Sequence, residues 1–226
     1  MTDSDTFVVT IDGPSGSGKG SLALNIAREL GLHLLDSGAI YRLLALKSLQ
    51  QKLDLEQHDA ILAQLDDFDI RFEVGEELSI PFLDNVDVSA ELRLETTGEA
   101  ASIVARHADV RDRLLDLQRA FCQPPGLVAD GRDMGSRVFP GARFKFFLYA
   151  SVEIRAERRY KQLISMGISA NIAELQTDIA ERDKRDKKRR ASPLKPAEDA
   201  LIVDSSFLNL AQVTKLVLSH IRDTSD

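Results

Sequence analysis

Two kinds of apolar pattern alternate along this chain. Short runs rich in β-branched and aromatic residues predict strands, and stretches with apolar residues three and four apart predict the helices between them. A sheet whose strands are separated by helices is typical of a parallel, doubly wound α/β fold. The predicted strands of this sheet are Val8–Asp12, Leu32–Leu35, Leu127–Asp130, Phe144–Leu148 and Leu201–Asp204.

The segment 65–90 departs from this alternation. Phe68–Val74 and Leu78–Leu83 place apolar and polar residues in turn, and Gly75-Glu76-Glu77 between them has the composition of a turn. The pattern predicts a small antiparallel insertion on the main domain. It is equally consistent with a decorative hairpin and with a flap beside a substrate.

Length, cysteine content and charge narrow the class of protein. A chain of 226 residues predicts one α/β domain with insertions or two small domains. The single cysteine, Cys122, excludes an internal disulfide framework and fits a reducing compartment. No signal peptide or membrane-length apolar run is visible, so we expect a cytoplasmic protein without membrane contact. The net charge of −7 argues against nucleic acid as a partner, and any anion site must be built locally.

A glycine-rich stretch, "TIDGPSGSGKGSL", joins the first predicted strand to the first predicted helix. Its Gly13-x4-Gly18-Lys19 core has the spacing of a phosphate-binding P-loop, in which main-chain N–H groups point at phosphate oxygens. Lys19 can reach the outer phosphates. The position that usually carries a magnesium-binding hydroxyl is Gly20, and Ser21 comes one place later. We therefore expect phosphates and water to hold most of the Mg²⁺, steadied by Asp130, and assign no residue as a metal ligand.

A P-loop alone leaves three classes of protein open. A switch GTPase would need N-K-x-D and D-x-x-G motifs, and the sequence contains neither. A kinase for a small metabolite and a kinase for a nucleoside monophosphate differ in the group that their second site holds. An alcohol acceptor favours a carboxylate base, whereas a phosphate acceptor is already anionic and favours arginines.

Arginines follow several predicted strand ends. Arg42 lies in "LLDSGAIYR", Arg132 lies in "ADGRDMG", and Arg111 opens a helical pattern. The run from Arg182 to Arg190 holds seven basic and two acidic residues, but no aromatic residue for stacking on bases. We interpret its helix face as directed at phosphates, and the acceptor as a phosphate. That face holds Arg182, Arg185, Asp186 and Arg189.

Four motifs in this order resemble the bacterial-type cytidylate kinase family: "IDGPSGSGKG" at 11–20, "LLDSGAIYR" at 34–42, "ADGRDMG" at 129–135 and "ERDKRD" at 181–186. The resemblance implies one P-loop kinase domain over 1–226, with a five-stranded parallel sheet flanked by helices. It also implies a small antiparallel β insertion on the acceptor side, at about 65–105, and a short helical lid at about 152–168. The implied activity is Mg²⁺-dependent transfer of the γ-phosphate of ATP to CMP or dCMP, giving ADP and CDP or dCDP.

The same resemblance assigns roles to individual residues. The catalytic residues are Lys19, Arg132 and Arg189, and Arg42 joins their grip on phosphate. The ATP-binding residues are Gly13, Pro14, Ser15, Gly16, Ser17, Gly18, Lys19, Gly20, Ser21 and, in the lid, Arg158. The substrate-binding residues are Ser37, Tyr41, Arg42, Ser102, Arg111, Arg132, Asp133, Arg182 and Asp186; Ser102, Arg111 and Asp133 read cytosine, and Arg182 and Asp186 contact the ribose.

Some alternatives stay open. The stretch "ELRLETTGEAAS" at 91–102 departs from the family's usual sequence. A related P-loop kinase acting on UMP or a small metabolite is one alternative, and a non-catalytic nucleotide-binding module is another. We expect a monomer whose partners are its small-molecule substrates.

Overall fold

The computed structural model describes residues 6–74, 79–165, 167–189 and 192–224. The chain divides into two compact units, one formed by 1–34 and 124–226 and the other by 35–123. The predicted turn at Gly75-Glu76-Glu77 lies outside the described residues. The single domain, the insertion at about 65–105 and the lid at about 152–168 stay predictions.

The described strands form two sheets. The five-stranded sheet has the order β2-β6-β1-β7-β8, and β1 pairs in parallel with β6 and β7, as β7 does with β8. This confirms the predicted parallel sheet, with strand ends within one residue of those predicted. In chain order the strands are β1 Phe7–Asp12, β2 His33–Asp36, β3 Ile70–Val74, β4 Ser79–Leu83, β5 Val86–Asp87, β6 Gly126–Gly131, β7 Phe144–Tyr149 and β8 Leu201–Asp204.

Helices connect these strands, and a π-helical turn over Met134–Val138 follows β6. In chain order the helices are α1 Lys19–Leu30, α2 Ser37–Gln50, α3 His58–Ala63, α4 Ser89–Arg93, α5 Glu95–Val104, α6 Ala108–Ala120, α7 Val152–Ser165, α8 Ile172–Lys188 and α9 Leu210–Asp223. Among the described residues, no helix combines the length and the apolarity needed to cross a bilayer.

One face of the parallel sheet packs on an apolar core in the first unit. Val9 and Ile11 of β1 are fully buried and share a core with Leu22 and Ile26 of α1 and Val217 of α9. The alternation of β1 sends Thr10 and Asp12 to the opposite face. The core thus fixes β1 in the middle of the sheet and places the P-loop at its carboxyl end, where ligands bind in open α/β sheets.

The second unit contains the predicted antiparallel strands. β3 pairs with β4, and β4 with the two-residue strand β5, which the sequence pattern did not predict. Leu83 of β4 packs with Leu43 and Leu46 of α2. The buried Lys47 donates to the Asp67 carbonyl at 2.7 Å, which ties α2 to the segment before β3.

Candidate active site

The P-loop is a tight cradle between β1 and α1. Gly13 leaves no room for a side chain, because a Cβ atom there would lie 2.2 Å from the Leu148 carbonyl oxygen. The Pro14 carbonyl accepts hydrogen bonds from the Ser17 hydroxyl at 3.0 Å and from Lys19 Nζ at 3.3 Å. These bonds close the loop on itself and hold Lys19 over it.

The N-terminus of α1 is open to an anion. Gly18 precedes the helix in the left-handed region, at φ 93°, and among the described residues no side chain caps the helix. Its first N–H groups and its dipole therefore favour a phosphate. Gly20 faces open space, since a Cβ atom there would meet nothing within 4 Å.

Helix α7 holds the outer side of the loop. Arg158 Nη1 donates to the Ser17 carbonyl at 3.2 Å, and its Nη2 donates to the Ser205 carbonyl at 2.6 Å. Arg155, which the sequence reasoning did not select, donates to the Ser15 carbonyl at 2.9 Å and is almost fully buried. The two arginines lie three residues apart on one helix face, a spacing visible in the sequence.

The end of α8 turns part of the predicted arginine face away from solvent: Asp186 is buried, and Arg182 and Arg189 are half-buried. Arg132 Nε donates to the Asp186 carboxylate, and Arg189 Nη2 lies 3.6 Å from Asp186 Oδ1. Burial raises the pKa of Asp186, but the charges of Arg132 and Arg189 more than offset this and hold that pKa below its ordinary value. Arg182 also acts on Asp186 through its charge. The prediction is wrong for Arg185, which is exposed and lies 3.9 Å from Glu181.

Arg132 is a largely buried cation, with 15% of its side chain exposed. Burial by itself lowers the pKa of Arg132, yet the Asp186 carboxylate raises it above its ordinary value. The charges of Asp130 and Asp183 act in the same direction. The structure thus brings two predicted catalytic residues, Arg132 and Arg189, together around one carboxylate.

Asp12 is a site residue that the sequence reasoning missed. Its buried carboxylate accepts hydrogen bonds from the N–H groups of Met134, at 2.8 Å, and Gly135, at 2.9 Å. Burial raises the pKa of Asp12 from 3.8 to about 6, although those N–H groups and Lys19 act to lower it; Asp133 also raises it. The sequence feature that could have identified Asp12 is the position of a carboxylate directly between a predicted buried strand and the glycine loop.

The turn after β6 depends on glycine at 135. A Cβ atom on Gly135 would lie 2.8 Å from Thr10 Oγ1, so a larger residue would push the turn off β1. Asp133 is 3% exposed and immediately precedes this turn. Asp12 and Gly135 together therefore fix the main chain that carries Arg132 and Asp133.

The remaining predicted substrate residues lie in the second unit. Asp36 caps α2 by accepting from the Ala39 N–H, and the buried Ser37 hydroxyl donates to Gln118 Oε1 at 2.8 Å. Arg42 Nη1 donates to the Leu92 carbonyl at 2.6 Å. Arg42 also lies against Gly98, where an added Cβ atom would approach its guanidinium to 3.0 Å.

Arg111 and Tyr41 form the second group in this unit. The Arg111 guanidinium lies 5.3 Å from the centre of the Tyr41 ring, within cation–π range, and both residues are buried. Ser102 is half-buried on α5. Arg111 Nη1 also donates to the Ala105 carbonyl at 3.5 Å.

Comparison with known proteins decides the family. A family profile described as cytidylate kinase matches residues 9–223. The chain belongs to the cytidylate kinase family. It is 53% identical over 213 residues to the cytidylate kinase of Paraburkholderia xenovorans, covering 94% of this chain and 92% of that protein. It is 50% identical over 218 residues to the cytidylate kinase of Vibrio parahaemolyticus, covering 96% of each.

The fold recurs in a distant solved structure. A protein from Eubacterium ventriosum aligns with 97% of this chain and 99% of its own, at a TM-score of 0.52 and 11% identity. At that identity the likeness concerns the fold alone. The cytidylate kinase family membership rests on the profile and on the close relatives.

In this cytidylate kinase family member, the residues of the glycine loop fit the phosphates of a nucleotide. The cradle, the open start of α1 and Lys19 suit a phosphate donor. Among the described residues, no group of three or more His, Cys, Asp or Glu side chains could bind a metal. Asp130 is buried in β6, and Gly20 brings no hydroxyl.

Proposed function

We propose that this protein transfers the γ-phosphate of ATP to CMP or dCMP, giving ADP and CDP or dCDP. The observation that carries the proposal is the glycine cradle before the open end of α1, in a chain that belongs to the cytidylate kinase family. ATP fits because the cradle presents N–H groups and Lys19 to phosphate oxygens.

The donor's phosphates lie in the loop 13–21 in this proposal. The start of α1 binds the phosphate chain, and Lys19 places its charge on the outer phosphates. Arg158 supports the donor through the Ser17 carbonyl that it holds. Mg²⁺ would be held mainly by the nucleotide's phosphates and water, steadied by Asp130, and would supply charge neutralisation.

The transfer itself needs little covalent help from the protein. An oxygen of the acceptor phosphate attacks the γ-phosphorus, the bond from that phosphorus to the β–γ bridging oxygen breaks, and ADP leaves with the electron pair. The attacking oxygen is already anionic, so no general base is required. Arg132 and Arg189, held on Asp186, stabilise the charge that spreads over the transferring group.

The acceptor is held by the remaining residues. Ser37, Tyr41 and Arg42 bind its phosphate and sugar, and the bonds from Ser37 to Gln118 and from Arg42 to Leu92 hold two of these side chains in place. Arg182 and Asp186 contact the ribose.

Cytosine is selected by polar contacts in this proposal. Ser102, Arg111 and Asp133 read the base. Cytosine presents an amino donor where uracil presents a carbonyl acceptor, so the Asp133 carboxylate favours the first and repels the second. A site built on such contacts discriminates strongly, because the wrong base leaves groups unpaired.

An ADP-release assay across CMP, dCMP, UMP, AMP and shikimate tests the reaction. We expect turnover with CMP and dCMP well above that with the other three. Preferred turnover of UMP or shikimate would move the protein to another kinase class. No turnover with any acceptor, by a folded protein that binds ATP, would favour a non-catalytic binding module.

Lys19→Ala tests the loop. We expect a folded protein whose turnover is lower by orders of magnitude, because a charge on the transferring phosphoryl group is lost. Lys215→Ala is a matched control, since Lys215 is exposed on α9. Near-native turnover of folded Lys19→Ala would contradict a role of this loop in phosphoryl transfer.

A further inference from the structure

Arg155 is the largest fully buried side chain of the described residues, and the proposed mechanism leaves it unused. It is 1% exposed, at the second turn of α7. A buried arginine is costly unless its charge is paired and its donors are satisfied. The hydrogen-bond partners of its guanidinium therefore indicate its role.

The guanidinium uses four of its five N–H donors on three partners. Nε donates to the Ala150 carbonyl at 2.9 Å. Nη1 and Nη2 donate to the two carboxylate oxygens of the buried Asp183, at 3.1 and 2.5 Å. Nη1 also donates to the Ser15 carbonyl, at 2.9 Å. The guanidinium is thus fixed by Asp183 of α8 and by Ala150, which precedes α7, and its remaining hydrogen bond is to the P-loop.

A second contact shows that the loop is fitted to this side chain. Gly16 has φ +77°, and a Cβ atom on it would lie 3.3 Å from Arg155 Cβ. The loop main chain therefore lies directly on the base of the arginine. Both the carbonyl of Ser15 and the following glycine meet the same residue.

The geometry of the peptide bond gives this contact a consequence for ligand binding. In a trans peptide the C=O of one residue and the N–H of the next point in opposite directions. Because Arg155 holds the Ser15 carbonyl, the Gly16 N–H points away from α7. Arg158 and Ser205 hold the Ser17 carbonyl, and so turn the Gly18 N–H the same way.

We propose that Arg155, fixed by Asp183, is a positioning residue that orients the Ser15–Gly16 peptide so that its N–H faces the donor's phosphates. Asp183 lies on α8 between Arg182 and Asp186 of the proposed site. The ion pair of Arg155 and Asp183 therefore also links the P-loop to α8. This inference rests on the proposal that the loop binds the donor.

Arg155→Lys is the direct test, since lysine keeps the charge but cannot reproduce the fork. We expect the KM for ATP to rise by about 10-fold to 100-fold, the effect of losing hydrogen bonds to charged groups, with the KM for CMP within about twofold. Hydrogen exchange at Ser15–Gly18 should become faster. Asp183→Asn should give a smaller change in the same direction, because Arg155 keeps its bonds to Ala150 and Ser15.

The exposed pair Arg185 and Glu181 on α8 provides the matched control. Arg185→Lys and Glu181→Gln should leave both KM values unchanged. A purely structural role for Arg155 would lower the melting temperature but leave the KM for ATP and the loop exchange of the folded enzyme unaltered. That result would overturn the proposal, as would failure of both Arg155→Lys and Asp183→Asn to fold.

Lys19→Ala separates the two proposals. If Lys19→Ala impairs turnover while Arg155→Lys leaves the KM for ATP unchanged, the loop binds the donor but Arg155 does not position it. If Lys19→Ala changes nothing, the donor site itself is elsewhere.

Discussion

Replacing Asp12 with asparagine should change how the stability of this protein depends on pH. Asp12 is 3% exposed, and its pKa rises from 3.8 to about 6 on folding. A carboxyl whose pKa rises on folding binds more protons in the folded state than in the unfolded state. Its contribution to the free energy of unfolding therefore falls as the pH rises from about 4 to about 6, and is constant above that.

The size of the effect follows from the pKa difference. A rise of about two pKa units corresponds to about 3 kcal/mol in the free energy of unfolding. The folded protein loses this stabilisation as Asp12 ionises, so it is absent at neutral pH. The asparagine side chain of the variant does not titrate. The free energy of unfolding of Asp12→Asn minus that of the natural protein should thus increase by on the order of 2–3 kcal/mol between about pH 4 and about pH 8.

Urea unfolding of both proteins across this range measures the difference directly. Any fixed cost of asparagine beside the Met134 and Gly135 N–H groups cancels, because only the change with pH is read. Asp178→Asn, an exposed change on α8, is the control and should show no such trend. A flat difference, or one that decreases with pH, would refute the reasoning that burial dominates at Asp12.

Three further predictions concern the turn after β6 and the predicted lid and flap. Asp133→Ala should lower kcat/KM for CMP by on the order of 2–4 kcal/mol and affect UMP much less; a CMP-to-UMP ratio unchanged within about twofold would count against Asp133 as the cytosine reader. Gly135→Ala should lower the free energy of unfolding by about 1–3 kcal/mol through its clash with Thr10, and Gly141→Ala, which has open space, should not; equal stabilities would argue that the turn can shift freely. Hydrogen exchange in 152–168 and 65–90 should slow when both substrates bind, and identical exchange in free and liganded protein would contradict a lid and flap that close.

The sheet and the loop could be predicted because their signals are local. β1 is a run of β-branched residues that ends at glycine, and Leu127–Asp130 is bounded in the same way. Helical spacing also predicts that Arg182 and Asp186 share one face of α8, and Arg189 immediately follows that helix. β5 was missed because a two-residue strand has no period to detect.

The partners of the charged residues could not be predicted. Nothing local distinguishes the buried Arg155 and Asp183 from the exposed Arg185 and Glu181, since all four lie in polar helical stretches. Which of the four side chains become buried depends on how α7 packs on α8. Asp12 depends in the same way on the turn at Met134–Gly135, more than a hundred positions away. The substrate roles of individual residues, the monomeric state and the cytoplasmic location stay predictions.

The order of strands in the parallel sheet also constrains how the chain matures on the ribosome. Phe7 of β1 pairs with Gly126 of β6, and β7 follows later still. β1 leaves the ribosome first, but β6 and β7, the strands that flank it, are made only after the whole of 35–123. That second unit is contiguous in sequence and contains its own three-stranded sheet. The nascent chain therefore carries an apolar strand with unpaired edges through half of its synthesis, a state in which chaperone binding competes with aggregation.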